Sequence, residues 1–242
     1  MSKQNNLTDF LTDVADAIRQ KKGTQAPINP QDFSSEIASI PTGGNNPLQD
    51  MLDRSSNTYG GYLFSAINNS TNYNIFSRLT YENLITLDFS NKHYTNANSM
   101  FENCTSLTTI PLLDFSSVTS AVSMFSGCTS LTTVPQLDFS KVTKASGIFS
   151  NCSSLTTLDF SNIKTIGAKF AQYSSSLSTL IIRNPTTLAT LGSTNAFSNT
   201  PIASGTGYIY VPDDLVNSYK QATNWSTFTN QIKPLSELPQ GD

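Results

Sequence analysis

Three stretches of sequence repeat one another and decide the fold: MFENCTSLTTIPLLDFS at residues 100–116, MFSGCTSLTTVPQLDFS at 124–140, and IFSNCSSLTTLDFS at 148–161. Equivalent phenylalanines, cysteines and leucines recur in them at a step of 24 residues. Looser copies flank the three: residues 84–89 upstream, residues 170–180 downstream, and a truncated copy at 196–198. A fixed step of this size indicates repeated supersecondary units stacked side by side.

The repeat predicts an α/β fold, a leucine-rich-repeat solenoid with short parallel strands over residues 66–211. Each unit is expected to contribute one short strand, which contains its Thr-Thr pair and ends in Leu-Asp-Phe-Ser. The units should stack, because a single unit cannot bury its apolar face alone. Neighbouring strands lie about 4.8 Å apart, so each repeat position becomes a column along the stack. The third copy lacks the Pro-x-Leu insert of the first two, so unit lengths are expected to differ.

The three cysteines, Cys104, Cys128 and Cys152, occupy one repeat position. We interpret them as a buried column, because a free cysteine behaves as a small apolar residue. In the fourth copy, Phe170 and Tyr173 are assigned to the phenylalanine and cysteine positions. A zinc site would need paired ligands at close spacing, and an odd cysteine is left over in any disulfide scheme.

Four aspartates also recur in Leu-Asp-Phe-Ser segments, at Asp88, Asp114, Asp138 and Asp159. We expect each carboxylate to accept hydrogen bonds from the turn that follows it, as in an Asx-turn. The alternatives are an aspartate ladder that holds Ca²⁺ and a carboxylate pair for glycoside hydrolysis. One aspartate per unit offers too few oxygens for calcium, and repetition makes the four equivalent, whereas a glycosidase needs two different roles.

The threonine pairs of the repeats form two further columns, of which strand alternation should expose only one. The candidate ligand face is the column Thr109, Thr133, Thr157 and Thr179. A row of hydroxyls suits a polar ligand such as a glycan, and the alternative is a solvated sheet face without a ligand.

The composition excludes several classes of function. The chain of 242 residues has 34 Ser, 30 Thr and 23 Asn but only 13% charged residues, with a net charge of −3. Without a basic stripe, nucleic-acid binding is disfavoured. The sequence has no run of 18 apolar residues, so no membrane span is predicted. His93 is the one histidine, so any catalytic triad would have to use it, and a multi-histidine metal site is impossible. No motif surrounds His93, and we interpret it as an exposed loop residue. We therefore predict no enzyme, no catalytic residue, no metal and no cofactor.

The two ends of the chain depart from the repeat. Residues 1–42 predict two short amphipathic helices whose apolar residues should dock on a partner. These docking residues are Leu7, Phe10, Leu11, Val14, Ile18, Phe33, Ile37 and Ile40. Residues 43–65 predict a linker with room for one helical turn. Residues 212–242 predict a helical cap, with Trp225 in its core rather than on a binding surface.

The quoted segments carry a resemblance. MFSGCTSLTTVPQLDFSKVT, at residues 124–143, resembles the repeats of bacterial BspA-like surface proteins, and the resemblance covers about residues 70–211. YIYVPDDLVNSYKQATNWSTFTNQIKPLSEL, at 208–238, is similar to C-terminal caps on such proteins, many of them encoded in prophages of Gram-positive bacteria. DVADAIRQKKGTQAPINPQDFSSEIASI, at 13–40, resembles a segment of phage tail and baseplate proteins.

The resemblance implies a non-enzymatic virion protein, either a tail or baseplate accessory or a receptor-binding protein. Residues 1–42 would bind other tail proteins, several copies would assemble together, and the solenoid would contact a host cell-wall glycan or surface protein. The alternative is an adhesin on the bacterial cell surface. Residues 1–6 lack the apolar segment of a secretory signal, which favours the virion expectation.

Overall fold

The computed structural model describes residues 49, 52–53, 84–85, 92–110 and 113–239. Within these ranges the fold is mixed α/β, with parallel strands and few helices. The strands are β1 (Leu137–Phe139), β2 (Thr157–Ile163), β3 (Thr165–Ile166), β4 (Thr179–Ile182), β5 (Thr190–Leu191), β6 (Tyr208–Val211) and β7 (Ile232–Pro234). The α-helices are α1 (Pro201–Ser204) and α2 (Val216–Gln221), and short 3₁₀ turns join several elements.

Two parallel sheets follow the order of the chain. The larger has the strand order β1-β2-β4-β6-β7, and the smaller pairs β3 with β5. Before β1, successive units continue the ladder through single backbone contacts, such as the donation from the Thr132 N–H to the Thr108 carbonyl at 2.9 Å. The last strand, β7, is short and ends in Pro234, which cannot donate to a further strand.

The core consists of side-chain columns that repeat from unit to unit. The rings of Phe101, Phe125 and Phe149 stack with centroids 5.3 and 5.4 Å apart and planes within 10° of parallel. Phe115, Phe139 and the ring from β2, Phe160, form a second aromatic column in edge or tilted contacts. The described ranges bury the leucines and cysteines of the repeat beside them. The predicted apolar columns are therefore confirmed.

The strand prediction is wrong for the Leu-Thr-Thr segments of the first two units, whereas the Leu-Asp-Phe segment of the second unit is a strand, as expected. Those Leu-Thr-Thr segments are not strands, and unit 2 instead contributes β1, which lies after its Pro-x-Leu insert. In unit 3 the insert is missing, and one strand, β2, runs from the last threonine of the Leu-Thr-Thr segment through Leu-Asp-Phe-Ser. Proline at Pro135 has no N–H to donate to a ladder, which separates the two halves of the unit. There is no regular alternation there, and neither threonine column is buried, although only one was expected to face solvent.

The fourth unit is shifted by one residue from its expected alignment. The Phe149 N–H donates to the Phe170 carbonyl, as the Phe125 N–H donates to that of Ile148. Phe170 is thus equivalent to Ile148, and Ser174 rather than Tyr173 takes the cysteine position. Tyr173 has a φ of 65° and corresponds to the left-handed residues Asn103, Gly127, Asn151 and Asn199. The spacing from Ser174 to Leu177 equals that from Cys152 to Leu155, and this match in the sequence could have identified the correct alignment.

The C-terminal segment packs onto the last units. Tyr219, Trp225 and Phe228 are buried, as expected for Trp225. The Trp225 indole Nε1–H donates to the Ala189 carbonyl at 2.8 Å, and the Tyr219 hydroxyl accepts from the Ala189 N–H at 2.8 Å. The predicted N-terminal docking helices and Asp88 lie outside the described residues. Leu52, in the segment predicted as linker, is helical and fully buried in the same core.

Candidate functional site

The candidate site is the outer face of the larger sheet, which we call the outer sheet face. We include in it the whole predicted threonine column, although Thr109 and Thr133 precede the first strand of the sheet. The Thr133 hydroxyl donates to the Thr109 hydroxyl at 3.1 Å. Thr157 and Thr179 are register partners in β2 and β4. The structure thus groups the four predicted threonines in two pairs.

The same row continues into a tyrosine that the sequence analysis missed. Thr179 pairs with Tyr208 of β6, so Tyr208 is the next residue of the row. Its side chain is 41% exposed, one of the few large apolar side chains exposed in the described ranges. Tyr208 lies 29 residues after Thr179 rather than 22 or 24, so the repeat step gave no signal for it.

A second row lies two residues further along each strand and therefore on the same face. It consists of the register partners Asp159, Ile181, Tyr210 and Lys233. Ile181 and Tyr210 are only 5% and 7% exposed, yet they lie outside the hydrophobic core cluster. Burial, followed by the nearby Tyr208 and Glu237, raises the pKa of Tyr210.

An ion pair holds one side of this second row. Arg183 donates from Nε to Asp159 Oδ1 at 2.8 Å and from Nη2 to Asp159 Oδ2 at 2.8 Å. This fork-to-fork geometry fixes both planar groups. The hydrogen bond with Asp159 raises the pKa of Arg183. Gln136 adds a longer contact to Asp159 Oδ1 at 3.4 Å.

A second ion pair lies beside the tyrosines. Lys233 Nζ is 3.4 Å from Glu237 Oε2 and 6.0 Å from the centroid of the Tyr208 ring. The rings of Tyr208 and Tyr210 have centroids 6.3 Å apart at an angle of 55°. The four charged groups of this area therefore form two neutral pairs around an aromatic centre.

The recurring aspartates do not share one role. Asp114 Oδ1 accepts from the Ser116 N–H and Asp138 Oδ1 accepts from the Ser140 N–H, each at 2.9 Å, which confirms the turn-capping interpretation for these two. The hydroxyl and amide of Ser116 lower the pKa of Asp114. Asp159 instead pairs with Arg183. The described ranges contain no cluster of three potential metal ligands.

The cysteine column is buried, as predicted, and makes a repeated polar contact. The thiols of Cys128 and Cys152 donate to the carbonyls of Phe101 and Phe125 at 3.0 and 3.1 Å. Burial raises the pKa of Cys128 to about 12 and that of Cys152 well above its usual value. A protonated, enclosed thiol is neither a nucleophile nor a metal ligand.

The histidine, His93, is exposed and pairs with a turn-capping aspartate rather than with a cysteine. His93 Nδ1 lies 3.6 Å from Asp114 Oδ2, and both side chains are more than half exposed. None of the helices within the described ranges has the length and apolar character needed to cross a membrane.

Comparison with known families identifies part of the repeat region. Residues 70–180 match the family described as "Mycoplasma protein of unknown function, DUF285", a domain type related to BspA-like repeat proteins. No curated protein and no solved structure matches the chain. The matched range ends before Arg183, Tyr208 and Lys233. It therefore contains the threonine row but leaves out the aromatic end of the outer sheet face.

Proposed function

We propose that the chain is a non-enzymatic binding protein of a phage virion, either a tail or baseplate accessory or a receptor-binding protein. In this proposal the units form a leucine-rich-repeat solenoid, closed by the C-terminal segment as a helical cap. The observation that carries a binding role is the outer sheet face, where a row of threonines leads into the exposed ring of Tyr208.

The state of the acidic groups supports binding over catalysis. A general acid or base must be able to exchange its proton with a substrate. Asp159 is held by two charge-assisted hydrogen bonds to Arg183, and Asp114 and Asp138 accept from backbone amides of their own turns. Each of these carboxylates already has a structural partner.

The stacked architecture supports a role in which many weak contacts add together. Repeated units give a rigid, extended surface whose columns present the same group several times. Several copies on one particle would convert weak single contacts into stable attachment through a high effective concentration. We propose that a host cell-wall glycan or surface protein is the ligand of this surface.

The virion location rests on the resemblance of residues 13–40 to tail and baseplate proteins. In the full-length chain, Phe10→Asp and Ile37→Asp should each remove the protein from purified tail particles, because a charge in a docked apolar face is costly. Gln20→Asp adds the same charge at a polar position of the first predicted helix and should leave incorporation unchanged. Normal incorporation of both apolar-face variants would refute the anchoring role.

A second candidate is a BspA-like adhesin on the bacterial cell surface, binding host protein or glycan. The matched family favours it, since its description names a cellular bacterium rather than a phage. An antibody against the full chain separates the two candidates: the adhesin is recovered in the cell-wall fraction of growing cells, and the virion protein in purified particles.

A further inference from the structure

We infer that the aromatic end of the outer sheet face is a subsite for a neutral glycan, with the Tyr208 ring as its stacking platform. We call this area the tyrosine patch, and its residues are Asp159, Ile181, Arg183, Tyr208, Tyr210, Lys233 and Glu237. The inference rests on the proposed binding function and adds the ligand class and the residues that recognise it.

The first argument is the position of the ring. Tyr208 stands beside the small side chain of Thr179 on one strand and is buttressed by Tyr210 two residues along its own. A ring fixed by neighbours loses little conformational freedom on binding, as aromatic anchors in binding sites require. Lys233 lies at the outer limit of cation–π distance, so this contact leaves the ring accessible.

The second argument is the set of hydrogen-bonding groups on the same face as the ring. A guanidinium has five N–H donors, of which Asp159 takes one at Nε and one at Nη2. The remaining donors of Arg183 have no hydrogen-bond acceptor within the described ranges, and the ion pair holds them in a fixed plane. The hydroxyls of Thr157 and Thr179 lie in the row that leads to Tyr208. Together with the Arg183 donors, they offer polar partners to the hydroxyls of an oligosaccharide whose apolar ring face meets Tyr208.

The third argument is charge. Asp159 with Arg183, and Lys233 with Glu237, sum to zero within the patch. A polyanion would find no net positive charge in the patch and would meet a chain of net charge −3. An extended protein interface would need a wider exposed apolar centre, but Ile181 and Tyr210 are covered. A neutral, hydroxyl-rich polymer fits the balance best.

The test measures binding of the purified full-length chain to an array of neutral hexose, deoxyhexose and N-acetylhexosamine oligosaccharides, printed beside uronate- and phosphate-bearing ones. We expect binding to neutral members only. Tyr208→Ala should weaken it at least tenfold, the effect of removing a central aromatic anchor, whereas Tyr208→Phe, which keeps the ring, should stay within about threefold. Tyr173→Ala is the matched control, since Tyr173 is 53% exposed but occupies a turn outside the outer sheet face.

Three results would overturn the inference: no binding to any neutral oligosaccharide, binding confined to anionic ones, or equal binding by wild type and Tyr208→Ala. Adsorption to host cells and incorporation into particles are measured in parallel and report on the proposed function separately. Adsorption to cells through a protease-sensitive receptor would support the proposed function and refute the glycan subsite. A chain that neither adsorbs nor enters particles loses the proposed function itself.

Discussion

The substitution Ser174→Ala tests the alignment of the fourth unit, where the repeat step and the backbone disagree by one residue. Ser174 is fully buried, and its hydroxyl donates to the Phe149 carbonyl at 2.6 Å and accepts from the Cys152 N–H at 3.0 Å. Alanine would remove the hydroxyl and leave two buried backbone groups without this partner. We expect a large loss of stability from a change of one atom.

The magnitude follows from these two hydrogen bonds. Each buried group left without a partner costs about 1–3 kcal/mol, so the pair should lower the free energy of unfolding by about 3 kcal/mol. Ser174→Cys should cost about 1 kcal/mol or less, because a thiol makes the equivalent donation from Cys128 and Cys152. Tyr173→Ala, at the exposed neighbour, should stay within about 0.5 kcal/mol of wild type.

Urea denaturation of the full-length chain measures these differences, followed by far-UV circular dichroism and by the fluorescence of the one tryptophan, Trp225. With a slope of about 3 kcal/mol per molar urea, Ser174→Ala should lower the midpoint by about 1 M. A midpoint for Ser174→Ala equal to wild type, or an equal loss in Tyr173→Ala, would refute the structural alignment and restore the one expected from the sequence.

Three further predictions concern the turns and the core. Gly127→Ala should lower the free energy of unfolding by at least about 1–2 kcal/mol, because φ is 76° there and the new Cβ would collide with the Asn103 side chain. Urea denaturation measures this loss, and an unchanged midpoint would contradict it. The thiol of Cys128 should resist a colorimetric thiol reagent at pH 8 until urea unfolds the chain, since burial raises its pKa to about 12; rapid reaction of the folded protein would contradict this. Ser116 lowers the pKa of Asp114 below 3.8, so the ionised carboxylate stabilises the folded chain fully above pH 3.8, and this stabilisation is lost as pH falls through the folded pKa. Asp114→Asn should therefore reduce the difference between the urea midpoints at pH 7 and pH 3. An unchanged difference would rule out a contribution of this carboxylate to the pH dependence of stability.

The aspartate column illustrates how far a repeated pattern can be trusted. Local hydrogen bonding from a carboxylate to an amide two residues on depends only on the chain around it, and the prediction holds for Asp114 and Asp138. Asp159 has the same local sequence but no insert before it, and it lies within β2 opposite Ile181. There the next strand brings Arg183 within reach, and the stronger charged partner takes the carboxylate.

The sequence by itself determined the columns of the core, because a 24-residue step places phenylalanine, cysteine and leucine at equivalent points of every unit and only stacking can bury them. It also identified the threonine row and the burial of Trp225. Only the tertiary structure decided the alignment of the units that break the step and the position of Tyr208, Arg183 and Lys233 on one face. The physical reason is that hydrogen bonds between neighbouring strands, rather than distance along the chain, set the register once loops of different length join them. The aromatic end of the outer sheet face lies in the part of the chain where the 24-residue spacing no longer holds.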